Sequence, residues 1–430
     1  MILIYGKNKV GSAVAALCDY LSLAYDMRDD SDNLVSYEAY DYIIPSPGVP
    51  GTHTVYQTGK VVAELDFAYQ YLPEGFQIVS ITGTDGKSTT SWMMYQLLKQ
   101  EFDSSTIPEK NQKVKKSVYI SGNFDAPFSK TVLEILQKKE RKGYIVVEIS
   151  SFMSHVIKDY TSDYSIFTNL KSDHLNWHQD LQEYADAKMN IFYHTKRKSF
   201  LNKQILEFAG EQRLSVSPPK NTRFFSQGND LKDRTNGEDI VISGRRVYRL
   251  SETHFSGMHN AMNILSCTLV MNEMKICSKR IKKYLQNIHG LPHRLELIAE
   301  KNGIRYVEDS KSTSCQSLLA ALGSFPTQRI VLIAGGSDKG DPFDGLEQKL
   351  KETVKFVVLI GATRDLLSKK CLSASTPFVF SETMNDAVMQ ANQKCIIGDV
   401  LLLSPGCASF GMFRDYLDRA EQFRSAVKSL

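Results

Sequence analysis

No uninterrupted apolar run in the 430-residue chain approaches the roughly 18 to 20 residues that cross a bilayer, and no basic leader with a cleavage site opens it. Neither membrane insertion nor export is expected. Cysteine is sparse: the seven thiols are odd in number and never spaced as CxxC, which excludes a disulfide framework and a thiolate zinc site. A reducing, cytoplasmic setting fits that usage. Charge of one sign is lacking too. The 52 Lys and Arg nearly balance the 48 Asp and Glu, and a net +4 is too small for whole-surface attraction to nucleic acid. Repeats and low-complexity tracts are absent.

What is present is an ordinary globular composition, 42% hydrophobic and 23% charged, in a chain long enough for two or three domains. Met1 to Tyr5 reads as a buried strand, followed by a Gly6 to Gly11 turn and a helical run from Ser12 to Leu23. The turn lacks the third glycine of GxGxxG, so it serves either a nucleotide or only a tight bend. A second strand, Asp41 to Ile44, stops at Pro45-Ser46-Pro47-Gly48, either a ligand-facing corner or a plain turn. From Gln77 the strand, loop and helix pattern restarts, with Tyr144 to Ile149 as its central strand. The Lys-rich stretch Glu109 to Lys116 reads as a solvated loop, and Ser243-Gly244 as the tip of a β-hairpin. After the breakers at Gly290 to Arg294, strands are expected at Leu295 to Ala299, Ile304 to Glu308, Ile330 to Ala334, Phe356 to Ile360 and Val400 to Ser404. Intervening helices such as Cys315 to Leu322 and Asp386 to Lys394 favour a mostly parallel sheet covered on both faces. The expected architecture is α/β in three domains, 1–76, 77–290 and 291–430.

Three constellations carry chemistry. In Ile78 to Thr89 an apolar strand passes through Gly83-Thr84-Asp85-Gly86 into a helix opening with Lys87-Ser88-Thr89. Glycines let backbone N–H groups face a phosphate, the helix N-terminus adds positive charge, Lys87 offers a cation and Ser88 an oxygen for magnesium. The full P-loop spacing would put glycine at Ile81, so this is a shortened GxxGKST loop. Glu148 follows the apolar Val146-Val147 at a strand's C-terminal end, as a magnesium ligand or an exposed carboxylate. The third is Thr168 to His174, followed by Tyr184-Ala185-Asp186-Ala187-Lys188 on a helix. Alone, His174 reads as structural and Lys188 as a surface amine; beside a phosphate loop both become candidates for a magnesium-dependent site.

These motifs, with GMHNAMN at Gly257 to Asn263, GLPHRLE at Gly290 to Glu296, DSKST at Asp309 to Thr313, GGSDKG at Gly335 to Gly340 and LLLSPGCASF at Leu401 to Phe410, resemble the Mur ligase family over nearly the whole chain. The DSKST run resembles its D-glutamate-adding branch. The resemblance implies a Rossmann-like UDP-binding N-terminal domain, a central P-loop ATPase domain with a parallel sheet, and a Rossmann-like C-terminal domain that binds the amino acid. It implies that Gly83 through Thr89, Asn260, Asn263, Arg294 and Asp309 hold ATP, and that Ser88, Glu148, His174 and Lys188 serve two magnesium ions. Lys87, Glu148, His174 and Lys188 would be catalytic, Lys188 matching a lysine that the family carbamylates. Arg28, Ser46, Pro47, Gly48 and Asn123 would meet the UDP substrate, and Thr313, Lys339, Ser409 and Phe410 the glutamate. Two departures stand out: Asp85 where relatives often have Asn, and Met153 where Gln is common.

The implied reaction is phosphorylation of the carboxylate of UDP-N-acetylmuramoyl-L-alanine by ATP, then attack of the D-glutamate amine on the acyl phosphate. It would proceed in a cytoplasmic monomer whose domains close to complete the site. The competing readings are another Mur ligase or a folylpolyglutamate-type ligase, and a P-loop ATPase that ligates nothing.

Overall fold

The strands Ile2–Tyr5 (β1), Tyr25–Arg28 (β2) and Tyr42–Pro45 (β3) pair in parallel in the order β2-β1-β3. Helix α1, Lys9–Leu21, starts ahead of the expected Ser12 because Asn8 caps it, its Oδ1 accepting from the N–H groups of Val10 and Gly11 at 2.9 and 3.3 Å. It ends short of Leu23 because Ser22 turns left-handed. Next comes α2, Glu64–Tyr69, whose two acids are buried. These coordinates are a computed structural model, and they describe residues 1–32, 36–102, 107–109, 112–114, 116–124, 126–175, 177–255, 257–325, 330–338, 340, 341 and 343–430, with the backbone alone at 107–109 and 112–114.

A second, larger sheet begins with β4, Gly75–Thr82, which feeds α3, Lys87–Phe102. The short antiparallel pair β5 (Ile107–Glu109) and β6 (Gln112–Val114) occupies the stretch expected to be all loop; two three-residue strands need little beyond backbone pairing, and apolar alternation does not announce them. Then follow β7 (Ser117–Gly122), α4 (Phe128–Gln137), β8 (Lys142–Glu148), α5 (Ser151–Ser154), β9 (Ser162–Phe167), α6 (Leu181–Tyr193) and β10 (Thr195–Asn202). After α7 (Gln204–Glu211) come β11 (Thr222–Gln227), β12 (Arg234–Thr235), β13 (Asp239–Ile242) and β14 (Arg245–Arg249), the last two being the hairpin expected at Ser243-Gly244. The long α8, Met258–Glu273, and α9, Ser278–Leu285, complete the region. The order is β14-β13-β12-β11-β10-β9-β4-β8-β7, parallel from β7 to β12 and antiparallel beyond. Strand β4 lies between β8 and β9, so the connections leaving it diverge and open a crevice at its C-terminal end, where ligands of such sheets bind.

Met1–His289 form one compact unit. One apolar cluster runs through it from Ile2 and Ile4 of β1 and Val14 of α1 to Phe128 of α4, Ile145 of β8 and Tyr184 of α6. Gly290–Leu430 form the other unit. Its sheet contains β15 (Glu296–Lys301), β16 (Ile304–Glu308), β17 (Ile330–Gly335), β18 (Val354–Ile360), β19 (Phe378–Ser381) and β20 (Val400–Leu403), in the order β15-β16-β20-β17-β18-β19. All neighbours are parallel except β15 and β16. Strand β19 escapes a hydropathy reading because it is a four-residue edge strand with only one buried residue. Its helices are α10 (Cys315–Gly323), α11 (Leu346–Thr353), α12 (Arg364–Ser373), α13 (Met384–Lys394) and α14 (Tyr416–Ser429). Among the described residues no helix is long and apolar enough to cross a membrane.

Candidate active site

Strand β4 delivers the loop Gly83 to Gly86 to the start of α3. Gly83 has φ +151°, and a Cβ there would stand 1.9 Å from Thr168 Oγ1, so no other residue fits. Gly86 has φ +77° and lies against Asn263 of α8, whose Oδ1 would be 3.1 Å from an added Cβ. The loop is pinned from β9's exit: the Thr84 N–H donates to the Asn169 carbonyl (2.9 Å) and the Asp85 N–H to Asn169 Oδ1 (2.9 Å). Thr168 Oγ1 and Asn169 Nδ2 donate in turn to the Asp85 carbonyl at 2.7 and 2.9 Å. Ser88 and Thr89 follow in the first turn of α3, half-buried.

Two amines meet on one oxygen. Lys87 Nζ donates to the carbonyls of Gly83 (2.9 Å) and Thr84 (2.7 Å), and Lys188 Nζ, from the middle of α6, donates to the same Gly83 carbonyl at 2.8 Å. Lys188 is 1% exposed. Burial, and then the charge of Lys87, hold its ammonium well below the ordinary lysine range, which favours the neutral amine. Tyr184, one turn earlier on α6, has its ring 4.6 Å from Lys188 Nζ and its hydroxyl 3.0 Å from Thr84 Oγ1.

Glu148 ends β8 with 1% of its surface exposed, which removes the reading of an exposed carboxylate. Its Oε1 accepts from Asn123 Nδ2 at 2.8 Å, while its Oε2 is buried with no hydrogen-bond partner among the described residues. A buried carboxylate oxygen left so is costly unless a cation meets it, so this donor suits a divalent metal. His174 lies in the loop before α6 with φ 55°, its ring centroid 4.8 Å from that of Phe152 and its Nε2 3.4 Å from Asp173. Burial, and then the charges of Lys188 and Lys87, lower its affinity for a proton. Asp85 does not stand as a lone negative charge: Lys171 Nζ donates to its Oδ2 at 2.7 Å.

The first sheet gathers Arg28, Ser46, Pro47 and Gly48 at the C-terminal ends of β2 and β3. Arg28 Nε donates to Asp26 at 2.9 Å, and the buried Ser46 hydroxyl donates to Asn8 Oδ1 at 3.0 Å. Asn260 precedes Asn263 by three residues on α8, on the same side of the helix.

In the second unit, Asp309 follows β16 and is buried, its Oδ1 accepting from the Leu295 N–H at 3.2 Å and its Oδ2 from Ser404 Oγ at 2.8 Å. Burial pushes its carboxyl up to about 7. Arg294 is exposed, Thr313 half-buried, Ser409 buried and Phe410 61% exposed. Lys339 lies outside the described residues. Arg419 is fully buried on α14 and donates to the carbonyls of Cys407 (3.0 Å) and Ser310 (2.7 Å). It ties the loop after β16 to the loop after β20. Tyr184, Lys171 and Arg419 act through folded contacts; the one signal in the sequence was their nearness to motifs already chosen.

Residues 81–271 match the family described as Mur ligase middle domain, and residues 293–407 the Mur ligase, glutamate ligase domain. The chain is 30% identical to the UDP-N-acetylmuramoylalanine--D-glutamate ligase of Aquifex aeolicus over 99% of this chain and 98% of that one. It is 32% identical to the enzyme of the same name from Natranaerobius thermophilus, over 94% of this chain and 87% of that one. Among solved structures, a MurF ligase from Thermotoga maritima in complex with ADP shares the fold with a TM-score of 0.55 and 19% identity, over 91% of this chain and 90% of that one.

Proposed function

This chain belongs to the Mur ligase family, and we propose that it is the ATP-dependent ligase that adds D-glutamate to UDP-N-acetylmuramoyl-L-alanine, a step of peptidoglycan precursor synthesis. The observation that carries this reading is the loop Gly83 to Gly86, with Lys87 and Lys188 on one carbonyl, in a chain alike over its whole length to D-glutamate ligases. The division of labour we propose is a UDP-binding part at 1–76, an ATP-binding part at 77–290 and an amino-acid-binding part at 291–430, acting in the cytoplasm as a monomer.

A carboxylate is a poor electrophile, so it must first be activated. Its oxygen attacks the γ-phosphorus of ATP, the bond to the β-phosphate oxygen breaks, and ADP leaves an acyl phosphate. The neutral amine of D-glutamate then attacks the acyl carbon, phosphate departs, and the amine proton goes to solvent or phosphate. The loop N–H groups, Lys87 and the hydroxyls of Ser88 and Thr89 hold the phosphates in line, with Asn260 and Asn263 at the nucleotide. Arg294 and Asp309 also serve nucleotide binding in this reading. Ser88, Glu148, His174 and Lys188, the last as a carbamate, would hold two magnesium ions, which supply charge neutralisation on the transferring phosphoryl group. Arg28, Ser46, Pro47, Gly48 and Asn123 take the UDP substrate; Thr313, Lys339, Ser409 and Phe410 take the glutamate.

A panel of nucleotide precursors and amino acids scored by ADP release tests the reading. The expected outcome is release only with UDP-N-acetylmuramoyl-L-alanine and D-glutamate together, and its loss in Lys87→Ala. Release without an amino acid would make the chain an ATPase, and a preference for another amino acid would move it to another branch.

A further inference from the structure

Beyond the phosphate loop, a second group of metal-binding side chains gathers at the start of α6. His155 follows α5, His178 lies in the loop ahead of α6, and Glu183 is in the first turn of α6. Their donor atoms all lie within 4.8 Å of one another. His155 Nδ1 is 3.5 Å and His178 Nδ1 3.9 Å from Glu183 Oε1. Tetrahedral coordination at about 2.0–2.1 Å per bond sets donors roughly 3.3 Å apart, so small rotations of three side chains close the gap.

Each donor is oriented from behind. Glu183 Oε2 accepts from the Gln179 N–H at 2.6 Å, which leaves Oε1 facing the imidazoles. His178 Nε2 is held by Ser151 Oγ at 2.9 Å, the outer hydrogen bond that fixes the tautomer of a metal-binding histidine. His178 is fully buried, and its Nδ1, 3.9 Å from the carboxylate of Glu183, has no hydrogen-bond partner among the described residues. An imidazole nitrogen buried in that state is costly, and a cation at this point satisfies it. His155 and Glu183 are partly exposed along a surface depression of about 540 Å³, which gives an ion a way in.

The other comparable group among the described residues differs. At His293, Glu296 and Glu308 the positive charge is already supplied: Arg424 donates to Glu296 at 2.5 Å and to Glu308 at 3.0 Å. Among the described residues no Lys or Arg pairs with Glu183 beside His155 and His178.

We propose that His155 Nδ1, His178 Nδ1 and Glu183 Oε1 form a binding site for a transition-metal dication of the zinc class, separate from the magnesium ligands at the phosphate loop. Two imidazoles and one carboxylate suit zinc, and magnesium, which prefers oxygen, binds there weakly. The ion would tie α5 to the first turn of α6, and Phe152, whose ring centroid lies 4.8 Å from that of His174 and 5.7 Å from that of His178, separates it from the catalytic face.

The test is calorimetric titration of the chelator-treated full-length protein with zinc chloride in excess magnesium. One zinc per chain is expected, with a rise in melting temperature, and His155→Ala and Glu183→Gln should each weaken binding by more than about tenfold. His174→Ala should leave it unchanged, which separates this site from the phosphate loop. Copper(II) supplies a second readout. Trp177, with its ring 5.4 Å from His155 and 4.6 Å from His178, should be quenched on binding, and Trp177→Phe should abolish that signal. The proposal is overturned if the protein takes up no zinc, or if His155→Ala and Glu183→Gln both bind it with wild-type affinity.

Discussion

Gly83 leaves no room for a side chain. A methyl group there would fall on Thr168 Oγ1, which also donates to the Asp85 carbonyl, so the clash and the lost hydrogen bond act on the same loop. Gly83→Ala should cost about 2–4 kcal/mol and remove nucleotide binding together with activity; denaturant melts and ATP calorimetry check both. Asp309 makes a different prediction, one of sign. Its folded pKa of about 7 lies above the ordinary carboxylate value, so between about pH 4 and 7 the folded protein keeps a proton that the unfolded chain has released. Stability should therefore fall as pH rises through that interval and lose nothing further above it. Asp309→Asn should flatten the decline in melting temperature between about pH 4 and 7, an outcome read from melts of the two proteins side by side. A steeper decline in the variant would remove Asp309 as its source.

The elements depend on residues that serve a neighbour as much as themselves. On α2, Glu64 Oε1 accepts from both the backbone N–H and the hydroxyl of Ser129 at 2.6 Å, filling the start of α4, whose own cap position is Pro127 and offers no side-chain acceptor. Two residues on, Asp66 receives the N–H groups of Lys158, Asp159 and Tyr160 at 2.9, 3.0 and 2.7 Å. Asp66→Ala should strand three donors and destabilise the protein by about 3 kcal/mol or more, measurable by urea unfolding, whereas Asp66→Asn should retain part of the loss. Such partnerships explain what the sequence could and could not disclose. The passage from β4 through the glycine loop into α3 was legible because its strand, glycines, lysine and hydroxyls are contiguous, and the placing of Glu148 at a strand end because it interrupts an apolar run. The pairing of Lys171 with Asp85 and the reach of Arg419 to Cys407 and Ser310 arise only after folding, when residues distant in sequence share a loop. The start of helix α1 moved for the same reason, through the cap at Asn8, and β19 stayed hidden because an edge strand needs little apolar alternation.

At the scale of the whole chain, the three larger sheets do not stand on equal footing. The first has only three strands of four residues each, too little to be stable alone. Its Ile2, Ile4 and Val14 belong to the same apolar cluster as Phe128, Ile145 and Tyr184, and α2 bonds to both α4 and the segment entering β9. Hydrogen exchange should therefore open the amides of β1 in step with those of β8, and separate protection of β1 would contradict the shared cluster. The first sheet is thus not a cassette. A chimera that exchanges residues 1–76 between relatives must bring Ser129 and the backbone at 158–160 along with them, because Glu64 and Asp66 bond across that boundary and the chain has no seam in its packing there.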